Sequence, residues 1–354
     1  MTDQKPDGFI KATITHPHRR IGIQGGNGRV GSTIASLLTP FYDVIAADVI
    51  NPEGTLPDGK KFFAVINAAP YFTSQRLAEK AVFNGVHYLD MTEDVEVTRG
   101  LRDLAETAPI MEKAACDVAI IPQCGLAPGV ISIIGGHMAR QYEKLDTLKL
   151  RVGALPRHPN NQLGYALTWN IDGLINQYHG WADVIRDGEH CKVPPLVDVE
   201  ELLVDGDRFE AFTTAGGVGT LCDSFPKARA LNYKTIRYPG HAALMRFLIE
   251  DLALDRIELK RILENALPIT DQDVVLISVA AVGLDKNGDR RQMTYSKTLF
   301  GAPGRSALQT TTASATCAVL DLLAEGALEQ RGFIRQEDIP LEKFIANRFG
   351  RVFS

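Results

Sequence analysis

Residues 21–31 read Ile21-Gly22-Ile23-Gln24-Gly25-Gly26-Asn27-Gly28-Arg29-Val30-Gly31. The apolar start, Ile21 to Ile23, predicts a buried first strand, and Ser32 to Leu38 predicts a helix straight after the glycines. Between them Gly26, Gly28 and Gly31 stand at the spacing G-x-G-x-x-G. In that setting Gly26 permits the tight turn, Gly28 lets a pyrophosphate approach the backbone, and Gly31 lets helix and strand pack closely. The pyrophosphate would rest on the free N–H groups and positive dipole end of the helix. Dinucleotide binding is the expectation, with Gly26, Asn27, Gly28, Arg29, Val30 and Gly31 as its phosphate loop.

Working outward, a second apolar strand, Val44 to Ala47, ends at Asp48. A carboxylate there can accept both ribose hydroxyls and would repel a 2′-phosphate. Val49, Ile50 and Asn51 follow it, with no arginine. NAD is therefore expected over NADP. Phe63 to Ala68 reads as the next strand, and Asn67-Ala68-Ala69-Pro70 falls where the chain would pass the middle of a dinucleotide. Helix Ser74 to Asn84, strand Val86 to Asp90, helix Thr98 to Ala115 and strand Val118 to Pro122 complete the run. Alternating strands and helices predict a Rossmann-type, doubly wound parallel sheet over residues 20–125, with ligands at the carboxyl ends of its strands. Gly26, Asp48, Asn67, Asp90 and Cys124 all fall on that rim.

From Leu126 the pattern changes. Helix Val130 to Tyr142 leads into runs of alternating character: Thr147 to Gly153, Phe209 to Thr214, Lys234 to Tyr238, Val274 to Gly283 and Gln292 to Phe300. A hairpin turn is expected at Asp285 to Gly288. These predict an α+β second domain over 126–308 with a mostly antiparallel sheet, serving substrate binding and dimerisation. Residues 309–354 are expected to form a helix, Gln309 to Gly326, returning to the first domain, and a tail. A homodimer is expected because apolar strands need a covered face.

Composition narrows the function. The 354 residues are 45% apolar, enough for two cored domains, and the net charge is −5. That balance argues against nucleic acid and anionic membranes as partners. No apolar run reaches membrane-spanning length. The polar start, residues 1–19, reads as a flexible arm without a secretory signal. Five cysteines, 116, 124, 191, 222 and 317, contain no C-x-x-C pair, as expected of reduced thiols in a cytoplasmic protein. No metal site is expected.

Further blocks carry a resemblance. Cys124-Gly125-Leu126-Ala127-Pro128-Gly129, Val152 to Pro156, Leu163-Gly164-Tyr165 with Thr168-Trp169, and Thr235 to His241 together resemble the saccharopine dehydrogenase-like family. Thr168 to Pro195 is most similar to its lysine 6-dehydrogenase branch. The resemblance runs from about Arg20 to Leu323. It implies a nicotinamide cofactor and chemistry at a C–N bond of an amino acid or amine, in either direction. It also marks a departure: where such enzymes commonly carry an arginine for a substrate carboxylate, after Thr213 to Val218, this chain has Gly219. Arg237, Arg157, Lys297 or His158 would then hold the acid, or the substrate lacks it.

Proton transfer calls for a group on the rim. His241, Cys124, Asp90 and Tyr165 are the candidates. Each also has a plain structural reading: His241 or Asp90 as a helix cap, Cys124 as a core thiol, Tyr165 as packing. Two other functions stay open, a semialdehyde dehydrogenase-type enzyme with Cys124 as nucleophile and a cofactor-binding sensor without turnover.

Overall fold

The computed structural model describes residues 18–51, 61–108 and 117–354. Most of the N-terminal arm and the end of the helix expected up to Ala115 lie outside the described residues.

The first sheet is parallel, in the order β14-β5-β4-β3-β1-β2. Its strands are β1 (Arg20–Gln24), β2 (Asp43–Ala47), β3 (Phe62–Asn67), β4 (His87–Asp90), β5 (Ala119–Ile121) and β14 (Gly332–Phe333). Every residue of β1, β4 and β5 is buried, as a sheet covered on both faces requires. Its first helices are α1 (Arg29–Leu38), α2 (Ser74–Phe83) and α3 (Val95–Thr107). α1 buries Gly31, Ile34 and Leu38, the recurrence of a single helix face.

The second sheet has eight strands: β6 (Lys144–Pro156), β7 (Ala182–Arg186), β8 (Glu189–Val193), β9 (Glu200–Val204), β10 (Asp207–Thr213), β11 (Ala230–Arg237), β12 (Asp273–Leu284) and β13 (Arg290–Phe300). The order is β13-β12-β6-β11-β10-β9, with β7 beside β11 and β8 beside β7. Only β6 and β11 pair in parallel. Helices α4 (Val130–Ala139), α5 (Ile171–Gln177), α6 (Leu221–Ser224), α7 (His241–Arg246) and α8 (Arg256–Ala266) belong to this half. The fold is thus a Rossmann-like parallel sheet joined to a mixed, mostly antiparallel one.

Two helices weld the halves. α4 is apolar almost all round and packs on β6 and β12. α9 (Ala307–Ala324) is made largely of Ala, Ser, Thr and Cys, and fifteen of its residues are buried. Small side chains let it lie against α1 and β4 on one side and β12 on the other. A single apolar core consequently runs from Ile21 through α4 and α9 to Val279. A last helix, α10 (Leu341–Ala346), packs on α9 and α4.

Three features depart from the sequence reading. β7, β8 and β9 form two further hairpin arms that the reading did not place. The helix that His241 was read to cap includes that residue as its first, and passes from α7 into a wider π-type turn, Phe247–Asp251, with α8 separate. The segment after α9 is no tail: Gly332–Phe333 adds the sixth strand to the first sheet. Cys124, Cys191, Cys222 and Cys317 are free thiols.

Candidate active site

A cleft of about 440 Å³ opens between the two sheets, a size typical of small-molecule sites. One end is the rim of the parallel sheet, where Gly28, Arg29 and Val30 face Asn67 to Pro70 across the opening. The glycines there have separate tasks. Gly25, not Gly26, takes the left-handed conformation of the turn, at φ +73°. Gly26 donates its N–H to the Ala47 carbonyl at 2.9 Å, and a Cβ on it would stand 2.7 Å from that of Ala46. A Cβ on Gly31 would lie 2.2 Å from the Gly25 carbonyl oxygen, so only glycine allows α1 this close to β1. No side chain caps the N-terminus of α1 and its first turn holds no acid. The loop therefore fits a dinucleotide pyrophosphate. Asn67 is buried and shapes the facing turn, its amide donating to Thr73 Oγ1 and Ser74 Oγ at 3.0 Å. Asp48 is exposed just beyond β2, and its carbonyl accepts the Gly25 N–H at 3.3 Å.

The other end is built by strand periodicity. Alternate residues of β11, Tyr233, Thr235 and Arg237, point into the cleft, as do Val152 and Ala154 of β6. Thr168 and Gln177 approach from α5 and the loop before it, and Glu93 from the loop after β4. Among the described residues, seven buried side-chain polar atoms lack a hydrogen-bond partner; four of them are Glu93 Oε1, Thr168 Oγ1, Gln177 Oε1 and Arg237 Nε. All four belong to residues lining this cleft. Buried polar atoms are normally paired, so a cluster of unpaired ones marks where a ligand completes the structure.

Glu93 accepts one bond at its second oxygen, from Gln177 Nε2 at 3.0 Å. Burial pushes its carboxyl up to about 8; Asp94 adds to the rise, while Gln177 and Arg237 oppose it. Arg237 is only 3% exposed. Its guanidinium lies 4.9 Å over the Tyr165 ring, and Nη1 donates to the Ile236 carbonyl at 2.9 Å.

Of the other residues singled out from the sequence, Asp90 lines the cleft, but its carboxylate is taken up by three donors. They are Tyr88 Oη at 2.9 Å, Thr92 N at 3.1 Å and Gln123 N at 3.0 Å. His241 stands behind the wall with both ring nitrogens engaged, Nδ1 at 2.8 Å from the Leu163 carbonyl and Nε2 at 2.9 Å from Tyr178 Oη. Burial, with the charge of Arg237, lowers its pKa to about 3. It is held neutral and is no acid–base group for the cleft. Cys124 is fully buried, donates to the Ile121 carbonyl at 3.0 Å, and accepts from Gln336 Nε2 at 3.3 Å. Burial, then the nearby Asp90, pushes its thiol up, the opposite of what a nucleophile needs. Tyr165 is buried too; it accepts the Trp169 indole N–H at 3.0 Å and supports Arg237 from behind. Arg157 stacks on Phe300 at 4.9 Å, Lys297 donates to the Ser354 carbonyl, and His158 is exposed. None of these three lines the cleft, so Arg237 is the cation that does so from the second domain.

The family profile described as Saccharopine dehydrogenase C-terminal domain matches residues 125–351. The chain belongs to the saccharopine dehydrogenase family. This is a family of oxidoreductases. The apo saccharopine dehydrogenase (L-Glu forming) of Saccharomyces cerevisiae has the same fold, with a TM-score of 0.69 at 15% identity over 93% of this chain and 97% of that one. Homospermidine synthase of Legionella pneumophila, solved in complex with NAD, superposes with a TM-score of 0.62 at 14% identity over 95% and 89%. Within the family frame, the glycine at 219 has a local cause. Its φ is +60°, and a Cβ would meet Gln123 Oε1 at 3.0 Å and Pro128 Cβ at 3.2 Å. Glu93, Thr168 and Gln177 were not singled out as site residues from the sequence. A signal for Glu93 was there: Asp90-Met91-Thr92-Glu93-Asp94 holds three acids. Asp94 caps α3, accepting from Val97 N at 2.9 Å, and Asp90 braces the loop, so one acid is left over.

Proposed function

We propose that the chain is a nicotinamide-dependent oxidoreductase acting on a C–N bond of an amino acid or amine, by oxidative deamination or its reverse. The observation that carries this is one cleft holding a nucleotide loop at one end and the unpaired atoms of Glu93, Gln177, Thr168 and Arg237 at the other. The relative solved with NAD supports the cofactor class. When bound, the nicotinamide accepts or returns a hydride. The chain's own residues position the two reactants, exclude water and handle the proton. Gly28 and the N-terminus of α1 hold phosphate, and Asn67 fixes the turn over it. Arg237, dry and backed by Tyr165, anchors a carboxylate through a charge-assisted bond. A screen of amines and amino acids with NAD, read as NADH absorbance, tests the reading; no substrate-dependent NADH from any of them would defeat it.

Three expectations follow from single residues. The carboxylate of Asp48 favours NAD, so NADH should bind more tightly than NADPH in fluorescence titrations. Asp48→Ala should cost NADH about 1.5–3 kcal/mol, and equal binding of the two nucleotides by the parent protein would remove the argument. Arg237→Ala should raise the substrate Michaelis constant roughly ten- to a hundredfold while NADH affinity changes little. Unchanged kinetics would exclude Arg237 as the anchor. Because Gly219 leaves out the arginine common in the family, lysine and saccharopine should be turned over poorly beside a larger or differently charged amino compound. Efficient turnover of lysine would overturn that.

A further inference from the structure

The unpaired atoms at the inner end of the cleft differ in kind. Gln177 Oε1 is an acceptor, and Glu93 Oε1 is one once its carboxyl is ionised; Arg237 Nε is a donor; Thr168 Oγ1 can be either. The two side chains are neighbours, since Gln177 Nε2 donates to Glu93 Oε2 at 3.0 Å. Two neighbouring side chains, each with an oxygen left unbonded, call for a group carrying several N–H donors. A cationic amine has three hydrogens to give and no lone pair to offer.

The space has been made for them. Gly216 lies flat on the Glu93 backbone, where a Cβ would come within 2.2 Å of the Glu93 carbonyl oxygen. At Gly173 a Cβ would meet the Trp169 ring at 2.5 Å and Glu93 Oε1 at 3.1 Å. Both glycines leave the room in which Glu93 lies in the cleft wall.

We propose that Glu93 and Gln177 form the seat for the substrate nitrogen, and that Glu93 takes the proton from it. This rests on the reading of the cleft as an amine- or amino-acid-binding site. In the step, one N–H bond of the substrate ammonium breaks and an O–H bond forms on Glu93. The electron pair of the broken bond stays on nitrogen, which becomes neutral and able to release a hydride from the adjacent carbon. Gln177 keeps an acceptor on a remaining N–H throughout.

The charged and titratable groups around Glu93 are Asp90 and Asp94 on its own loop, Asp172 on α5, Tyr233 and Arg237 on β11, and Tyr165. Burial, and after it the charge of Asp94, keeps Glu93 protonated to about pH 8 in the free protein. A bound cation reverses that balance, so binding near neutral pH releases a proton.

The probe is n-butylammonium, with isosteric n-butanol as the neutral control, followed by the fluorescence of Trp169 beside the seat. The parent protein should bind n-butylammonium more tightly as pH rises through about 8 and release a proton on binding, seen calorimetrically in buffers of different ionisation heat. Glu93→Gln should weaken n-butylammonium roughly tenfold or more, abolish the pH dependence, and leave n-butanol unchanged. Gln177→Met should weaken the ammonium several-fold. Equal ammonium affinity in parent and Glu93→Gln, or no preference of the parent for the ammonium over the alcohol, overturns the proposal. NADH titration of the same proteins separates the two readings. Glu93→Gln that keeps NADH but loses the ammonium supports the seat. A parent protein that binds the ammonium but no NADH leaves the seat standing and defeats the oxidoreductase reading.

Discussion

Glu93→Gln should make the protein more stable, and the more so the higher the pH. The folded state holds the Glu93 proton up to about 8, whereas the unfolded chain gives it up near the ordinary value of 4.5. Between those values the folded protein binds the extra proton, so its stability falls as pH rises, and above about 8 the full cost of a buried carboxylate is present. Glutamine has the same shape and no charge. At about pH 5 the two proteins should unfold at nearly the same denaturant concentration. At about pH 9 the variant should be ahead by on the order of 5 kcal/mol, the rise from 4.5 to about 8 at ~1.4 kcal/mol per pKa unit. A variant less stable than the parent at high pH would show that Glu93 is not held against its charge. Loss of amine binding with a gain in stability is what a strained functional group should show.

Asp321→Ala should have the opposite sign and a similar or larger size. Asp321 is fully buried on α9. It accepts from Tyr42 Oη, from Asn347 Nδ2 at 2.8 Å and from Arg348 Nε at 2.9 Å. Three segments distant in sequence thus meet on one carboxylate. Removing it takes away the one carboxylate on which Tyr42, Asn347 and Arg348 converge, leaving Arg348 only the looser pair with Glu325 at 3.6 Å, a loss of ~3–5 kcal/mol. Urea unfolding would measure it, and limited proteolysis should release the segment after α9 first. Asp321→Asn keeps an acceptor and should fall between. A loss under ~1 kcal/mol for the alanine variant would show that the cluster is solvated rather than bonded.

The parallel sheet was legible because β1, β3, β4 and β5 are short, largely apolar runs, buried almost throughout and followed by a turn or helix signal. The glycine spacing was legible for the same reason, though the residue that takes the turn's positive φ is Gly25, and a one-letter pattern cannot tell which of two adjacent glycines turns. The outer strands β8 and β9 of the two arms were missed because Glu189 to Val193 and Glu200 to Val204 are polar and half-exposed. Their hairpin turns were nonetheless written in the chain: Asp187-Gly188 and Asp205-Gly206 take positive φ at both positions, 51° and 85°, then 52° and 91°.

The site was legible by half. Residues on the rim of the first sheet follow from strand order alone. The far wall comes from β6, β11 and α5, whose meeting with Glu93 depends on how the two sheets face each other, and no local pattern carries that. Arg237 was singled out beside a turn, and it lies in the cleft because Tyr233, Thr235 and Arg237 share one face of β11. His241, four residues on, has left the strand and turned into α7, which is why a well-suited imidazole ends up bonded to Leu163 and Tyr178 instead.

The sixth strand of the first sheet and the helix that covers α1 come from the last part of the chain. As the polypeptide emerges from the ribosome, residues up to about 125 are available long before α9 and Gly332–Phe333 exist. Until then the edge of β5 is unpaired and the apolar flank of α1 has no cover, a sticky surface of the sort that chaperones bind. Completion of the first sheet is therefore late in chain order: its last pieces arrive only after the whole second sheet has been made. A gene fragment ending at the domain boundary should yield an aggregating product, whereas one in which residues 307–354 are fused behind residue 125 should yield a soluble one.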